Sequence, residues 1–332
     1  MIIPVNVHSS QFPEQVGREL AESLRTREIN HKFHYESRRQ AQQWLELHRR
    51  YSPSRNDLES RAGYEQAFIK IATLATSPAV HVIGLGCGAG LKDFMLLQQL
   101  RKRGKMLVYS ACDASLPLVL TARQRALTLL DERHVHDLVA DFVTADDLQR
   151  IFITQTTGNS TRIINFLGMI PNFEPAQILP RLASLIRAQD ILVFSANLAP
   201  GDDYRAGVEK VLPQYDNAET RAWLMSLLID LGFDAKDGRL RFEIEENANE
   251  TGLIRVVARF DLKRDRVIHL DEEKFTFREG DSLRVFYSYR HTPDTVRAWL
   301  GKEGIDVLEQ TVSCEGQEGL FICRRKAAET AS

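Results

Sequence analysis

The sequence predicts an α/β protein whose core is a doubly wound, mostly parallel sheet of seven strands. Short apolar runs alternate with helical patterns over residues 79–196, which is typical of parallel strands joined by helices. Two further strand patterns, at 305–313 and 318–324, complete the sheet. The first apolar run also leads into a loop with a glycine at every second position. These glycines are Gly84, Gly86, Gly88 and Gly90.

The composition is that of an ordinary globular protein. The 332 residues leave room for two domains, and a formal net charge of −2 with 43% hydrophobic residues gives no basic surplus for nucleic acid. The N-terminus lacks a signal-peptide pattern, and no window of about 20 apolar residues predicts a membrane span. The four cysteines show no CxxC spacing. We therefore expect a cytoplasmic protein without nucleic-acid or membrane partners, and no feature indicates an oligomeric state.

The first part of the chain alternates in the order that a doubly wound sheet requires. Strands are predicted at 79–84, 106–111, 136–140, 162–167 and 190–196. Helices are predicted at 12–26, 38–50, 58–76, 90–103, 115–130, 144–151 and 175–187. Ligands of such sheets bind beyond the carboxyl ends of the strands.

The pattern changes after Asn197. A Pro-Gly-Asp-Asp turn and a helix at 217–231 precede four alternating segments that read as antiparallel strands. These segments are 240–247, 252–262, 266–270 and 273–277. A further strand at 283–289 leads into the last helix, at 292–303. We expect 58–196 and 284–326 to form the cofactor-binding domain, and 1–57 with 197–283 to form an inserted α+β lid that binds substrate.

Three strand ends carry side chains suited to a nucleoside. The glycine loop, with Gly86 and Gly88, allows close backbone approach, and a helix start offers free N–H groups. Asp113 ends the second strand, where an acid holds ribose hydroxyls. Asp141 and Phe142 end the third, placing a carboxylate and a ring beside an adenine. This combination favours S-adenosylmethionine (AdoMet) over NAD, although the glycines alone fit both cofactors.

Several segments together resemble the histidine-specific Nα-methyltransferases of ergothioneine biosynthesis. The similar segments, in the family's order, are Lys32-Phe-His-Tyr35-Glu-Ser, Tyr51-Ser-Pro53-Ser-Arg55, Gly86-Cys-Gly88-Ala-Gly90-Leu-Lys92-Asp93, Phe166-Leu-Gly168-Met-Ile-Pro171-Asn172-Phe173, Gln214-Tyr215-Asp216-Asn217 and Gly280-Asp-Ser-Leu-Arg284-Val-Phe286-Tyr-Ser288. They span roughly residues 30–325, and the pattern is specific only when they are taken jointly.

The resemblance implies an AdoMet enzyme and supplies roles for further residues. Lys92 would reach the methionyl carboxylate of the cofactor as a point charge. Asn172 and Tyr215 stand where the family binds the amino and carboxylate groups of the acceptor, and with Tyr35 they are our candidate catalytic residues. Tyr51 and Ser288 are further candidates for binding the substrate.

The chain departs from the family pattern at three positions, and the last of them bears on the substrate. Gly84 stands where the family usually has an acid, and Pro171 replaces a glycine. Phe286 replaces the acid that the family uses to hold the substrate imidazole. A buried imidazole without a polar partner would cost about 1–3 kcal/mol, so an apolar or aromatic amino acid fits better than histidine.

The sequence thus predicts an AdoMet-dependent N-methyltransferase acting on a small amino-acid-like substrate. Alternatives that keep the cofactor are transfer of its aminocarboxypropyl arm and methylation of oxygen or of a peptide. A non-catalytic AdoMet-fold binding protein and an NAD-dependent dehydrogenase remain open as well.

Overall fold

The predicted sheet is present, with one strand more than the sequence indicated. A computed structural model describes residues 2–52, 56–156, 160–246 and 252–326. Its strands are β1 (Asn6–Val7), β2 (Ala79–Leu85), β3 (Met106–Asp113), β4 (Val135–Val139), β5 (Thr161–Phe166), β6 (Ile191–Asn197), β7 (Gly238–Glu245), β8 (Ile254–Leu262), β9 (Arg266–Leu270), β10 (Glu273–Phe277), β11 (Ser282–Arg290), β12 (Ile305–Val312) and β13 (Glu318–Arg325). Within the described residues the main sheet has eight strands, in the order β1-β4-β3-β2-β5-β6-β13-β12.

The main sheet is parallel from β1 to β6, and its order turns back at β2, which has β3 on one side and β5 on the other. Strand β13 runs antiparallel to β6, and β12 runs antiparallel to β13. The seven predicted strands are all in this sheet. The eighth is β1, which pairs with Leu138 and Val139 of β4; its two residues are too few to show an alternation in the sequence.

Helices cover both faces of the sheet. They are α1 (Pro13–Thr26), α2 (Arg38–Tyr51), α3 (Leu58–Leu74), α4 (Leu91–Lys102), α5 (Leu116–Ala126), α6 (Leu148–Thr154), α7 (Pro175–Leu185), α8 (Tyr204–Val211), α9 (Ala218–Asp230) and α10 (Pro293–Lys302). Helices α3, α4 and α5 share a buried cluster on one face, and α6, α7 and α10 share another on the opposite face. No helix in the described part of the chain is long and apolar enough to cross a membrane.

Local sequence explains where several helices begin. Ser37 and Gln40 form a reciprocal capping box at the start of α2, and the Asp57 carboxylate accepts hydrogen bonds from two N–H groups at the start of α3. Helix α8 was not predicted. It follows the turn at 200–203, and the carboxylate of Asp203 accepts a hydrogen bond from Ala206 N over 2.9 Å, so the last turn residue is also a helix cap.

A second unit packs around its own core. Strands β7, β8 and β11 form an antiparallel sheet in the order β11-β8-β7, and β9 with β10 forms a separate hairpin. Apolar side chains of α1 and α9 are buried against both, in a cluster that includes Leu24, Trp223 and Phe260. The N-terminal helix and the segment after β6 therefore share one hydrophobic core.

The expected boundary between the two domains falls inside strand β11. We expected residue 284 to begin the return to the cofactor-binding domain, but this boundary falls inside β11. The strand pairs with β8 along its length, from Ser282 opposite Asp261 to Arg290 opposite Ile254. The register shifts between Arg284 and Phe286. The chain therefore returns to the main sheet only after β11, through α10.

Candidate active site

All the predicted site residues line one cavity of about 810 Å³. It lies where β2, β3, β4 and β5 end and is closed on its other side by residues of α2, α9 and β11. The predicted residues that line it are Tyr35, Tyr51, Gly86, Gly88, Lys92, Asp113, Asp141, Phe142, Asn172, Tyr215, Phe286 and Ser288. Residues as far apart in the sequence as Tyr35 and Ser288 are thus brought to one place, as expected for the carboxyl edge of a doubly wound sheet.

The glycine loop forms one wall of the cavity. Gly86 and Gly88 have φ angles of +60° and +52°, a conformation that residues with a Cβ rarely adopt. A Cβ on Gly86 would lie 2.0 Å from the sulfur of Met169, and one on Gly88 would lie 3.0 Å from Cη2 of Trp44. These two side chains, which the sequence did not single out, therefore lie directly against the loop.

Asp113 joins the end of β3 to the glycine loop. Its Oδ2 accepts a hydrogen bond from Gly88 N and its Oδ1 one from Ser115 N, both over 2.9 Å. Burial is the main cause that raises the pKa of this carboxyl to about 6, against the effect of the backbone hydrogen bonds. Each oxygen keeps lone-pair capacity for one more donor. The carboxylate therefore fits a ribose diol.

Asp141 and Phe142 follow β4. Asp141 Oδ1 accepts from Val143 N over 2.8 Å, and its Oδ2 accepts from Lys32 Nζ over 3.0 Å. Phe142 is 6% exposed, and its ring centroid lies 5.7 Å from that of Phe166. The pair fits an adenine, since the carboxylate is fixed by two donors and retains further acceptor capacity. Lys32 is a partner that local sequence patterns did not indicate.

Lys92 lines the cavity, but its charge is already paired. Its ammonium donates to Tyr64 Oη over 2.6 Å and to Glu318 Oε1 over 3.0 Å, and it lies 4.3 Å from the centroid of the Tyr64 ring. Glu318 also lines the cavity. A cofactor carboxylate that reached Lys92 would therefore compete with Glu318.

Gly84, one of the departures from the family pattern, lies directly against a buried carboxylate. A Cβ on Gly84 would lie 2.1 Å from Asp93 Oδ2. Asp93, near the start of α4, is 4% exposed and lines the cavity. Its Oδ2 accepts from Tyr109 Oη and its Oδ1 from Asn165 Nδ2, both over 2.7 Å. The carboxylate of Asp93 thus occupies the space that a side chain at position 84 would need.

Aromatic rings form a continuous wall across the cavity. The Tyr35 centroid lies 5.6 Å from that of Trp44 and 5.4 Å from that of Trp223. Phe286 lies 5.9 Å from Trp223 and 6.2 Å from Tyr215. Trp44 contacts the glycine loop, and Trp223 contacts Phe286. Tyr35 therefore lies between two halves of the cavity, one lined by the glycine loop and the other by Phe286. Burial raises the pKa of Tyr35, so its hydroxyl stays neutral.

Polar groups of the second sheet face the same cavity. Tyr215 Oη donates to Ser288 Oγ over 2.9 Å, and Arg290 Nη2 donates to Tyr215 Oη over 2.8 Å. Phe286, Ser288 and Arg290 alternate onto one face of β11. Sequence reasoning missed Arg290, although the period of two that starts at Phe286 was a signal for it. Asn172 lies nearby, and its Nδ2 donates to the backbone oxygen of Tyr287 over 2.5 Å.

Tyr51 lies at the rim of the cavity. It is 45% exposed, and its hydroxyl donates to Glu219 Oε2 over 2.8 Å. The neighbouring Pro53 and Arg55, which belong to the same predicted motif, lie outside the described residues.

The comparison with known families covers nearly the whole chain. Residues 16–325 match the model of the family described as histidine-specific methyltransferase, SAM-dependent. No curated protein matches the sequence.

Solved structures similar to this chain are distant in sequence. The CcbJ methyltransferase from Streptomyces caelestis is 13% identical over 79% of this chain and 94% of that chain, with a TM-score of 0.42. The sugar N-methyltransferase KedS8 from Streptoalloteichus sp ATCC 53650 is 15% identical over 85% and 93%, with a TM-score of 0.40. A SAM-dependent methyltransferase from Bacteroides fragilis in complex with S-adenosyl-L-homocysteine is 12% identical over 80% and 77%, with a TM-score of 0.37.

The family match decides between the two cofactors that the glycine loop left open. AdoMet is the cofactor of this family, and the carboxylates of Asp113 and Asp141 fit its ribose and adenine. The chain is an AdoMet-dependent methyltransferase, and it belongs to the family of histidine-specific, SAM-dependent methyltransferases as a divergent member.

Proposed function

We propose that the protein transfers a methyl group from AdoMet to the amino group of a small amino-acid-like acceptor other than histidine. The environment of Phe286 is the observation that supports this proposal. Phe286 lies in the aromatic wall, next to the hydrogen-bonded hydroxyls of Tyr215 and Ser288. In this proposal the N-terminal 57 residues and the segment from 197 through β11 form the substrate-binding lid.

The aromatic wall is a poor partner for an imidazole. Phe286 is 8% exposed and contacts the rings of Trp223 and Tyr215. An imidazole N–H buried against these rings would lose its hydrogen bond to water, at about 1–3 kcal/mol. A hydrocarbon or aromatic side chain would instead gain roughly 25 cal/mol for each Å² of apolar surface that it buries. The wall therefore favours an apolar acceptor.

The acceptor nitrogen must be held in line with the transferred methyl group. AdoMet supplies an electrophilic methyl group, so the protein needs no covalent nucleophile, and orientation supplies most of the rate. The amide oxygen of Asn172 receives no hydrogen bond from the described residues and is available to an amine N–H. The neutral hydroxyl of Tyr35, between the two halves of the cavity, is available as a second orienting group.

The test is calorimetric titration with S-adenosylhomocysteine, alone and then followed by a panel of amino acids. We expect the nucleoside to bind and to strengthen the binding of an apolar amino acid more than that of histidine. Mass spectrometry of the product then separates methyl from aminocarboxypropyl transfer, and fragmentation locates the methyl on nitrogen or oxygen. Preferred binding and methylation of histidine would refute the proposal.

A further inference from the structure

A short 3-10 helix near the N-terminus lies against the carboxylate that fits an adenine. It spans His31–His34 and begins at Asn30, whose side chain accepts a hydrogen bond from Lys32 N over 3.1 Å. Asn30, His31 and Lys32 all line the cavity, as Asp141 does. Part of the first 57 residues therefore borders the residues that fit the cofactor.

Lys32 is the one buried lysine of the described residues, and both of its charged partners are carboxylates. It is 7% exposed, and its ammonium donates to Asp141 Oδ2 over 3.0 Å and forms an ion pair with Glu19 of α1. Burial lowers the pKa of Lys32, but the two carboxylates outweigh this effect, so the pKa lies above its usual value. The cation is therefore present at neutral pH, and Glu19 anchors it to α1.

The N-terminal residues make two hydrogen bonds with Asp141. Its backbone N donates to Ser10 Oγ over 3.0 Å, and its Oδ2 accepts from Lys32. Its Oδ1 accepts from Val143 N over 2.8 Å. Hydrogen bonds between an ammonium and a carboxylate are roughly twice as strong as those between neutral groups. Lys32 therefore contributes most to the orientation of this carboxylate.

A fixed carboxylate distinguishes purines by the group at C6. The amino group of adenine donates hydrogen bonds, whereas the carbonyl oxygen of hypoxanthine only accepts them and would face the carboxylate unpaired. A protonated carboxyl group could donate to that oxygen, but a positive charge at hydrogen-bond distance favours the ionised form, which only accepts. Rejection of a 6-oxopurine therefore requires a cation beside Asp141, and Lys32 is in that position.

We propose that Lys32, anchored by Glu19, is a positioning residue that holds Asp141 as a hydrogen-bond acceptor and so makes the protein select a 6-aminopurine nucleoside. Lys32 acts through Asp141 and needs no contact of its own with the base. This selectivity does not depend on which acceptor is methylated.

The test compares two nucleosides that differ only at C6 of the base, S-adenosylhomocysteine and S-inosylhomocysteine. Their ribose and homocysteine groups are the same, so contributions from Asp113 and the glycine loop cancel in the ratio of the two affinities. By calorimetric titration we expect the parent protein to bind the adenosine compound at least about 100-fold more tightly. Equal binding of the two nucleosides by the parent overturns the inference.

A series of substitutions at Lys32 separates its charge from its donor groups. In Lys32→Met the affinity ratio should fall by about tenfold or more, because neither cation nor donor remains. Lys32→Arg should retain most of the ratio, and Lys32→Gln, which keeps a neutral donor, should lie between them. If Lys32→Met does not fold, Lys32→Gln decides the question. An unchanged ratio in a folded Lys32→Met or Lys32→Gln protein overturns the inference.

Arg123→Met is the matched control for damage to the fold. Arg123 is a buried cation that pairs with Asp137 of β4, the strand that Asp141 follows. Its removal should lower the stability of the protein, as removal of Lys32 does, but leave the affinity ratio unchanged. An equal fall of the ratio in Arg123→Met and Lys32→Met would overturn the role of Lys32, because the selectivity would then reflect the general integrity of β4.

Discussion

Replacing Gly84 by alanine tests how closely the cofactor strand and α4 are packed. The new Cβ would lie 2.1 Å from Oδ2 and 2.9 Å from Cγ of Asp93, so the carboxylate would have to move. It would then lose its hydrogen bonds to Tyr109 and Asn165, both 2.7 Å long and buried. At about 1.5 kcal/mol for each bond to a charged group, we expect Gly84→Ala to lower the free energy of unfolding by about 3 kcal/mol.

Urea denaturation of a double-mutant cycle measures this effect. In the Asp93→Ala background the space is vacant, and we expect Gly84→Ala to cost less than about 1 kcal/mol there. Gly63→Ala on α3 is the control, since its Cβ would lie 3.7 Å from Thr311 and should stabilise the helix by about 0.5–1 kcal/mol. An equal cost of Gly84→Ala in both backgrounds would refute the steric explanation.

Three further predictions concern ligand binding. Burial raises the pKa of Asp113 to about 6, and ribose hydroxyls donate hydrogen bonds to its ionised form. The affinity for S-adenosylhomocysteine should therefore fall by up to about tenfold per pH unit below pH 6 and level off above it. Calorimetric titration should show that this pH dependence is lost in Asp113→Asn. Glu318→Gln should strengthen nucleoside binding by about tenfold, since the Lys92 ammonium loses its competing carboxylate, and weaker binding would contradict the competition. Phe286→Glu should gain histidine binding in the same titration, whereas Phe286→Leu should not.

The glycine loop and the strand ends were predictable because they depend on local patterns. Apolar runs that alternate with helical patterns predict a parallel sheet, and the carboxyl ends of parallel strands meet at one edge of it. Asp113, Asp141 and Phe142 could therefore be placed beside the glycine loop without coordinates. The replacement of the family's acid by Phe286 could also be predicted from the sequence, because the similar segments occur in the family's order.

Other features were decided only by tertiary structure, because they depend on which distant side chains meet. The carboxylate of Asp93 fills the space beside Gly84, and Lys92 finds its counter-ion at Glu318, 226 positions away. The strand pattern of β11 could show that Arg290 shares a face with Phe286. Only packing could show that no carboxylate among the described residues pairs with this guanidinium, because whether a charge is paired depends on the residues folded around it.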